Sequence, residues 1–366
     1  MAIAVGYSDW KGNFVMIRKI KIRNMKSIID INMVCSNMNL LVGTNSSGKS
    51  TIIQALSIVA QNSLEVKGIN GTLTNIGEFE DLKTRLNATD KVEVVLNDEN
   101  DEEISCEVLR GPDSSMDLHI KTSDSSMAKK MNYGNKTYQY LSCDRIGPRN
   151  IYIKNNDVDE EIGVKGEQAV VYLNRHKTDI IEQEICRNTF DFTLGGQVNW
   201  WLEYIVGANI STEELAGAEY VKASYTIGAL NGVRPVNIGA GTSYLISVLI
   251  MCLASVPGAK LAIENPEIHL HPSAQSRLAE FLYFISCHNR QLFIETHSDH
   301  LFNAVRVGIA NGTMDPDTVK VLFVYLNEES VTNVLDVIVG KYGKIMNQRK
   351  DLFDQFDMDL NKMLGM

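Results

Sequence analysis

Nothing in this sequence pairs its cysteines. Cys35, Cys106, Cys143, Cys186, Cys252 and Cys287 are scattered with no Cys-x-x-Cys spacing, which removes the grounds for a disulfide framework or a cysteine-ligated zinc site. Long apolar runs are missing too. The longest, Tyr244 to Val256, falls short of the roughly 20 residues that a membrane span needs. Residues 1–17 are mixed and carry Asp9 and Lys11, unlike a signal peptide. A cytoplasmic protein that does not enter a membrane is therefore expected. Positive charge is in deficit, with Lys+Arg 35 against Asp+Glu 45 and a net charge of −10. That excludes a surface coated all over for nucleic acid and confines any DNA contact to a local basic patch. Finally, no unit of 20–50 residues repeats, and no heptad pattern is sustained between residues 50 and 236.

What is present suits a soluble α/β protein. A chain of 366 residues, 44% hydrophobic and 22% charged, holds enough apolar material for one large domain or two modest ones. Residues 16–23 alternate and residues 38–42 are apolar, which predicts a half-exposed strand followed by a buried one. A glycine- and serine-rich turn follows Val42, and Thr51 to Val59 has helical apolar periodicity. Residues 64–135 are polar and acidic. Val92 to Leu96 reads as a strand, Asn97 to Glu103 as a hairpin tip, and Asp113 to Lys130 as an exposed loop. After residue 236 the pattern sharpens into helix 242–255, strand 259–264, helix 272–288, strand 291–296, helix 298–310 and strand 319–326. Such alternation predicts a parallel-sheet core.

The turn Gly43-Thr44-Asn45-Ser46-Ser47-Gly48-Lys49-Ser50 fits G-x-x-x-x-G-K-[ST] at every fixed position. Glycines let the backbone turn its N–H groups inward onto phosphates, and the following helix adds its positive end. Lys49 would reach the β- and γ-phosphates of ATP, Ser50 would ligate Mg²⁺, and Thr51 would touch the α-phosphate. The bare pattern arises by chance in on the order of one chain in a hundred of this length. An apolar strand before it and an amphipathic helix after it make a mere serine-glycine turn a poor alternative.

P-loop enzymes also need a strand ending in an acidic residue near the metal. Leu261-Ala262-Ile263-Glu264 supplies one, with Glu264 in the metal-side position. The next position, where the base usually stands, holds Asn265, whose amide accepts no proton; Glu267 is the nearest replacement carboxylate. A second strand ends in Glu295-Thr296-His297, and His297 is the candidate sensor of the γ-phosphate. Histidines 269, 271, 288, 297 and 300 crowd this half, so a metal hydrolase is the rival chemistry. The His-x-His spacing at 269 and 271 lacks the ligand pattern of zinc sites.

Ile20 to Ser27, taken with Asn45 to Thr51, resembles the SMC and OLD (overcoming lysogenization defect) class of ABC-type ATPases. The stretches Glu264 to Pro272 and Glu295 to Leu301 are similar to a bacterial subgroup of stand-alone heads of the Septu and PARIS kind. Those heads often sit beside nucleases or other effectors in anti-phage defence loci, and Asp351 to Asp357 is like their tail. The resemblance runs over residues 16–360. It implies an ABC-type head with a mostly parallel central sheet, an antiparallel N-terminal sheet and a helical inserted lobe, without a coiled coil. It divides the chain into a nucleotide-binding lobe (1–150), the insert (151–235), a lobe with signature, carboxylate strand and histidine switch (236–330), and a tail (331–366). It also implies that heads dimerise around ATP, each P-loop facing the partner's signature. Gly239, Gly241 and Ser243, opening an apolar helix, hold that place here. Leu141 to Pro148 resembles the loop linking nucleotide to lobe movement, without its glutamine. No long arms and no room for an appended nuclease domain imply a head alone, with any cutting of DNA done by a partner.

Three functions are therefore expected in competition. The first is a dimeric ATPase coupled to an effector, a nuclease being the expected one, in DNA surveillance or anti-phage defence. The second is an ATP-gated clamp with little turnover that sequesters a toxic partner. The third makes DNA the principal partner, through Arg18, Lys19, Lys21, Arg23 and Lys26. A solvated edge strand is the preferred account of that basic run. Leu352, Phe353 and Phe356 in the tail are a candidate docking cluster for a partner.

Overall fold

The computed structural model describes residues 15–111, 116–122, 125–154, 161–353, 359–360 and 362–364. The chain opens with β1 (Ile17–Met25) and β2 (Ile28–Val34), joined by a tight turn in which Lys26 takes φ 50°. Then come β3 (Met38–Val42), α1 (Lys49–Asn62) and α2 (Phe79–Leu82). A meander follows: β4 (Lys91–Asp98), β5 (Glu103–Arg110) and β6 (Met116–Thr122), then α3 (Ser125–Lys130), β7 (Tyr138–Leu141) and β8 (Ile151–Ile153). The insert contributes α4 (Ala169–His176), α5 (Leu194–Val206), β9 (Ala208–Glu214), β10 (Tyr220–Ile227) and β11 (Leu230–Val233). The last third runs α6 (Ala240–Leu253), β12 (Lys260–Glu264), α7 (Pro272–Ser286), β13 (Gln291–Glu295), α8 (Asp299–Ala310), β14 (Val319–Leu326) and β15 (Thr332–Asp336).

Six strands build the central sheet in the order β15-β14-β3-β13-β12-β7, parallel except for the edge strand β15. Its inner strands are mainly apolar because both faces are covered. Leu40, Ile263, Ile294 and Phe323 point to one core with α6, α7 and α8, whereas Leu41, Ala262, Phe293 and Leu322 point to a second with α1. The antiparallel sheet β2-β1-β4-β5-β6 closes that second core. Strands β9, β10, β11 and β8 form a third sheet. The insert thus carries strands as well as helices, and it packs α4 and α5 into the first core through Val170, Val198 and Trp201. The longest helix among the described residues is α7, with 15 residues, so no coiled coil is present there. No helix of the described residues is long and apolar enough to cross a membrane.

Three expectations need correction. Asp113 to Lys130 is not a loop where it is described, since β6 pairs with β5 and α3 buries Met127 and Ala128. In β6, Met116, Leu118 and Ile120 alternate with polar residues and pack on the second core. The basic run lies on β1, which is flanked by β2 and β4 and so is no edge. Two of its charges are met by carboxylates: Arg23 by Glu93 at 2.8 Å and Asp30 at 3.4 Å, Lys19 by Asp101 at 3.0 Å. In the tail, Leu352 is buried in the first core and Phe353 stacks on Phe302 at 5.0 Å, so neither is a free docking group. Phe356 lies outside the described residues.

Candidate functional site

The P-loop joins β3 to α1 at the carboxyl edge of the central sheet, where open α/β sheets bind ligands. Its conformation demands its glycines. Gly43 has φ 146°, and a Cβ there would stand 2.0 Å from the Val324 carbonyl oxygen. Gly48, at φ 108°, ends the loop and caps α1 without a side-chain bond, leaving the first helical N–H groups free for an anion. Thr332 of β15 braces the loop by donating to the Ser47 carbonyl at 2.9 Å, and its hydroxyl also meets Ser27 at 2.7 Å. Thr44, Asn45 and Ser46 form the exposed crest, while Ser47, Lys49 and Thr51 are buried. Lys49 bends back to donate to the carbonyls of Gly43 at 3.0 Å and Thr44 at 2.7 Å. Burial lowers its pKa, against the pull of Glu295.

Two acidic strand ends stand beside this loop. Strand pairing sets Glu264 opposite Glu295, and Glu295 opposite Leu41, so the three strands end level. The hydroxyl of Ser50 donates to Glu295 Oε1 at 2.9 Å. Glu264, the expected neighbour of Ser50, instead accepts the Cys143 N–H at 3.0 Å. Burial and the nearby Glu264 push Glu295 up to about 7, opposed by Ser50 and Lys49. Glu267 is buried as well and accepts the His297 N–H at 3.1 Å. Burial raises its pKa, with the Thr296 hydroxyl, the His297 amide and Arg145 acting the other way. The ring of His297 sits at the rim, 4.0 Å from Glu295, and burial together with Lys49 favours its neutral form. Lys49, Glu264, Glu267 and His297 are therefore gathered around the P-loop. Asn265 takes φ 44°, a left-handed conformation that asparagine tolerates better than most residues.

Sequence reading alone passed over Glu295 and Arg145. Glu295 was legible as the charged end of a buried strand, a costly place for a carboxylate without a task. Arg145 is buried, and its guanidinium donates to the carbonyls of Ser142 at 3.1 Å, Glu264 at 2.6 Å and Asn265. It clamps the loop after β7 to the carboxylate strand. The signature candidate packs on the same turn. A Cβ on Gly241 would stand 2.4 Å from the His269 carbonyl, and the Tyr244 ring lies over His269 at 5.4 Å. Gly239 is exposed at the uncapped start of α6, and Ser243 is buried one turn in.

The residues fit a magnesium-bound triphosphate. Glu295 Oε2 and Ser47 Oγ are buried without hydrogen-bond partners, and Glu264, Glu267 and Glu295 outnumber the nearby cations Lys49 and Arg145. Mg²⁺ needs only one or two side chains beside phosphates. A transition metal needs a cluster, and among the described residues no group of three or more His, Cys, Asp or Glu is placed to hold one. The histidines are used otherwise: His271 caps α7 through Ser273, and His288 meets the Phe284 carbonyl at 2.6 Å.

Comparison with known proteins agrees. Residues 16–193 match the family described as "AAA ATPase domain", and residues 223–303 match "AAA domain, putative AbiEii toxin, Type IV TA system". The chain is a P-loop ATPase with the fold of an SMC head. That fold is shared with the SMC head bound to the C-terminal winged-helix domain of ScpA. The likeness has a TM-score of 0.56 and 16% identity, and it covers 88% of this chain and 97% of that one. The SMC head of Pyrococcus furiosus, with an extended coiled coil and the C-terminal domain of ScpA, also matches. Its TM-score is 0.56 at 14% identity, covering 96% of this ATPase and 100% of that chain. No curated protein matches the sequence.

Proposed function

We propose that this ATPase is an ABC-type head that pairs with a second copy around ATP and passes the state of the nucleotide to a partner effector. The carrying observation is the Arg145 clamp. The loop 142–148 touches the Glu264 strand end, and its Gly147 lies beside the Tyr244 hydroxyl of the signature helix. One loop thus joins the carboxylates to the surface that would face a partner head. In this reading the amides of residues 43–50 with Lys49 and Thr51 grip the phosphates. Glu267 takes the proton of the attacking water in place of Asn265, and His297 senses the γ-phosphate. Gly239, exposed at the start of α6, meets the ATP of the other copy, and the buried Gly241 and Ser243 back it from within. Ser50 and a carboxylate ending a strand beside the P-loop would hold Mg²⁺, which would offset phosphate charge.

A protein partner is supported by the two similar heads, both described as bound to ScpA. A toxin-system setting is supported by the description of the family matching 223–303; anti-phage defence or DNA surveillance with a nuclease as the effector is carried by the sequence resemblance of Glu264 to Pro272 and Glu295 to Leu301. Direct DNA binding through β1 is disfavoured, because Arg23 and Lys19 already face carboxylates. Turnover of ATP tests the core of the reading. Lys49→Ala should lower it by on the order of a hundredfold, through lost electrostatic stabilisation of the transition state. Equal rates in both proteins would remove the proposal. Size-exclusion chromatography with and without ATP tests the pairing.

The second reading, a clamp with little turnover holding a toxic partner, is favoured by Asn265 alone. It requires Glu267→Gln to leave both assembly and the already low turnover unchanged.

A further inference from the structure

We propose that Glu295, rather than Glu264, is the carboxylate that holds the divalent cation on Ser50. The inference rests on the nucleotide-binding reading above and assigns the metal to the strand beside the P-loop. Position comes first. Strand β13 lies directly against β3, whereas β12 lies one strand further away. Neighbouring strands are about 4.8 Å apart, so the end of β12 starts from roughly twice the distance. Contact comes second. Ser50 Oγ is 2.9 Å from Glu295 Oε1, while Glu264 Oε2 is committed to the Cys143 N–H.

Satisfaction comes third. Glu295 is 5% exposed, and its Oε2 has no hydrogen-bond partner. A buried carboxylate oxygen left that way is costly unless a cation or donor is meant to meet it. The cationic side chain that acts on it, Lys49, makes no ion pair with it and turns two of its three donors to the carbonyls of Gly43 and Thr44. In the loop after β7, Arg145 is a cation turned onto backbone carbonyls, and the Asp144 carboxylate is paired with Lys165. A serine hydroxyl and one carboxylate are hard oxygen donors of the number Mg²⁺ takes beside phosphates. Glu264 is left with a different task, anchoring the 142–148 loop.

The test is the ratio of ADP affinity with Mg²⁺ to that in EDTA, measured by calorimetry on the full chain; ADP avoids turnover. Glu295→Gln should lose about tenfold or more of that ratio, as lost metal-site residues do. Its affinity in EDTA should be unchanged or tighter, which also shows that the variant is folded. Ser50→Ala should lose a similar share, and the double variant no more than the larger single loss, because the two groups act as one site. Glu264→Gln should keep the ratio. Bound Mn²⁺, counted by electron paramagnetic resonance, should fall in parallel. Should Glu295→Gln fail to fold, Glu295→Asp, which withdraws the charge by one methylene, should show a partial loss. A wild-type ratio in the Glu295 variants, or an equal loss in Glu264→Gln, overturns the assignment. A kept ratio with weakened preference for ATP over ADP also overturns it, and gives Glu295 to the orientation of His297. If the wild-type chain binds no nucleotide, the proposed function itself falls.

Discussion

Replacing Glu267 by glutamine separates chemistry from architecture at this site. The side chain accepts the His297 N–H at 3.1 Å, and a glutamine oxygen can go on accepting it. The loop from β12 to α7 should therefore keep its shape, and nucleotide should still bind. What is lost is a base for the attacking water. General-base removal costs roughly 10²- to 10³-fold in rate, about 3–4 kcal/mol of transition-state stabilisation. Stability should move the other way. Burial raises the Glu267 pKa above the ordinary carboxylate value. As pH rises past that ordinary value, the unfolded chain ionises first while the folded protein keeps its proton, so the folded state loses stability until its own raised pKa is passed. A neutral glutamine escapes this loss. The variant should thus match the wild type in melting temperature at about pH 4, below the ordinary carboxylate value, and exceed it near pH 8, where the unfolded chain is fully ionised. Wild-type turnover should fall as pH drops through the raised pKa. ATP turnover and thermal melts at both pH values decide the matter. Turnover within about threefold of wild type, or a lower melting temperature near pH 8, would refute the assignment.

Lys260, buried at the start of β12 with its ammonium on the carbonyls of Lys130 at 2.9 Å and Gly258 at 3.0 Å, is pushed down to about 7 by burial. The unfolded chain then binds more protons between about pH 7 and 10.5, so stability should rise with pH by up to roughly 5 kcal/mol; urea melts of Lys260→Met should show a flatter profile. Gly43→Ala sets a methyl against the Val324 carbonyl at a φ few residues tolerate. It should destabilise by on the order of 2–3 kcal/mol and abolish nucleotide binding, read by chemical denaturation and calorimetry. Arg145→Ala strips donors from three carbonyls around the carboxylate strand. It should cost about 2–3 kcal/mol and lower ATP turnover more than ATP affinity.

The parts of the site written as backbone chemistry were legible. Gly43 and Gly48 occupy positive-φ positions, Lys49 opens a helix, and the strands at 260–264, 291–295 and 319–326 fall within a residue or two of the apolar runs. Strand β2 went unread although Ile31 and Met33 alternate with Asp30 and Asn32, because the neighbouring β1 pattern absorbed it. Strand β6 was masked by the serines and aspartates around it, which are turn formers in isolation. The basic run on β1 looked like an edge because its counter-charges, Glu93 and Asp101, lie far along the chain. Contacts of high sequence separation also hid Arg145, whose acceptors lie 119 and 120 positions away.

Phosphate binding changes the charge balance of this site. Lys49 gives two of its three N–H donors to neutral carbonyls of its own loop, which leaves the third for a phosphate, a charged acceptor that binds an ammonium more strongly. Lys49 is then shared between phosphate and Glu295, and Glu264 and Glu267 lie on the same side of the sheet edge. Nucleotide without a cation would therefore place phosphate charge against three carboxylates, an arrangement that buried like charges oppose. Glu264 and Arg145 fasten the carboxylate strand to the 142–148 loop, and His269 fastens it to α6. A change in charge at the strand ends is consequently felt at both elements within a single layer of contacts.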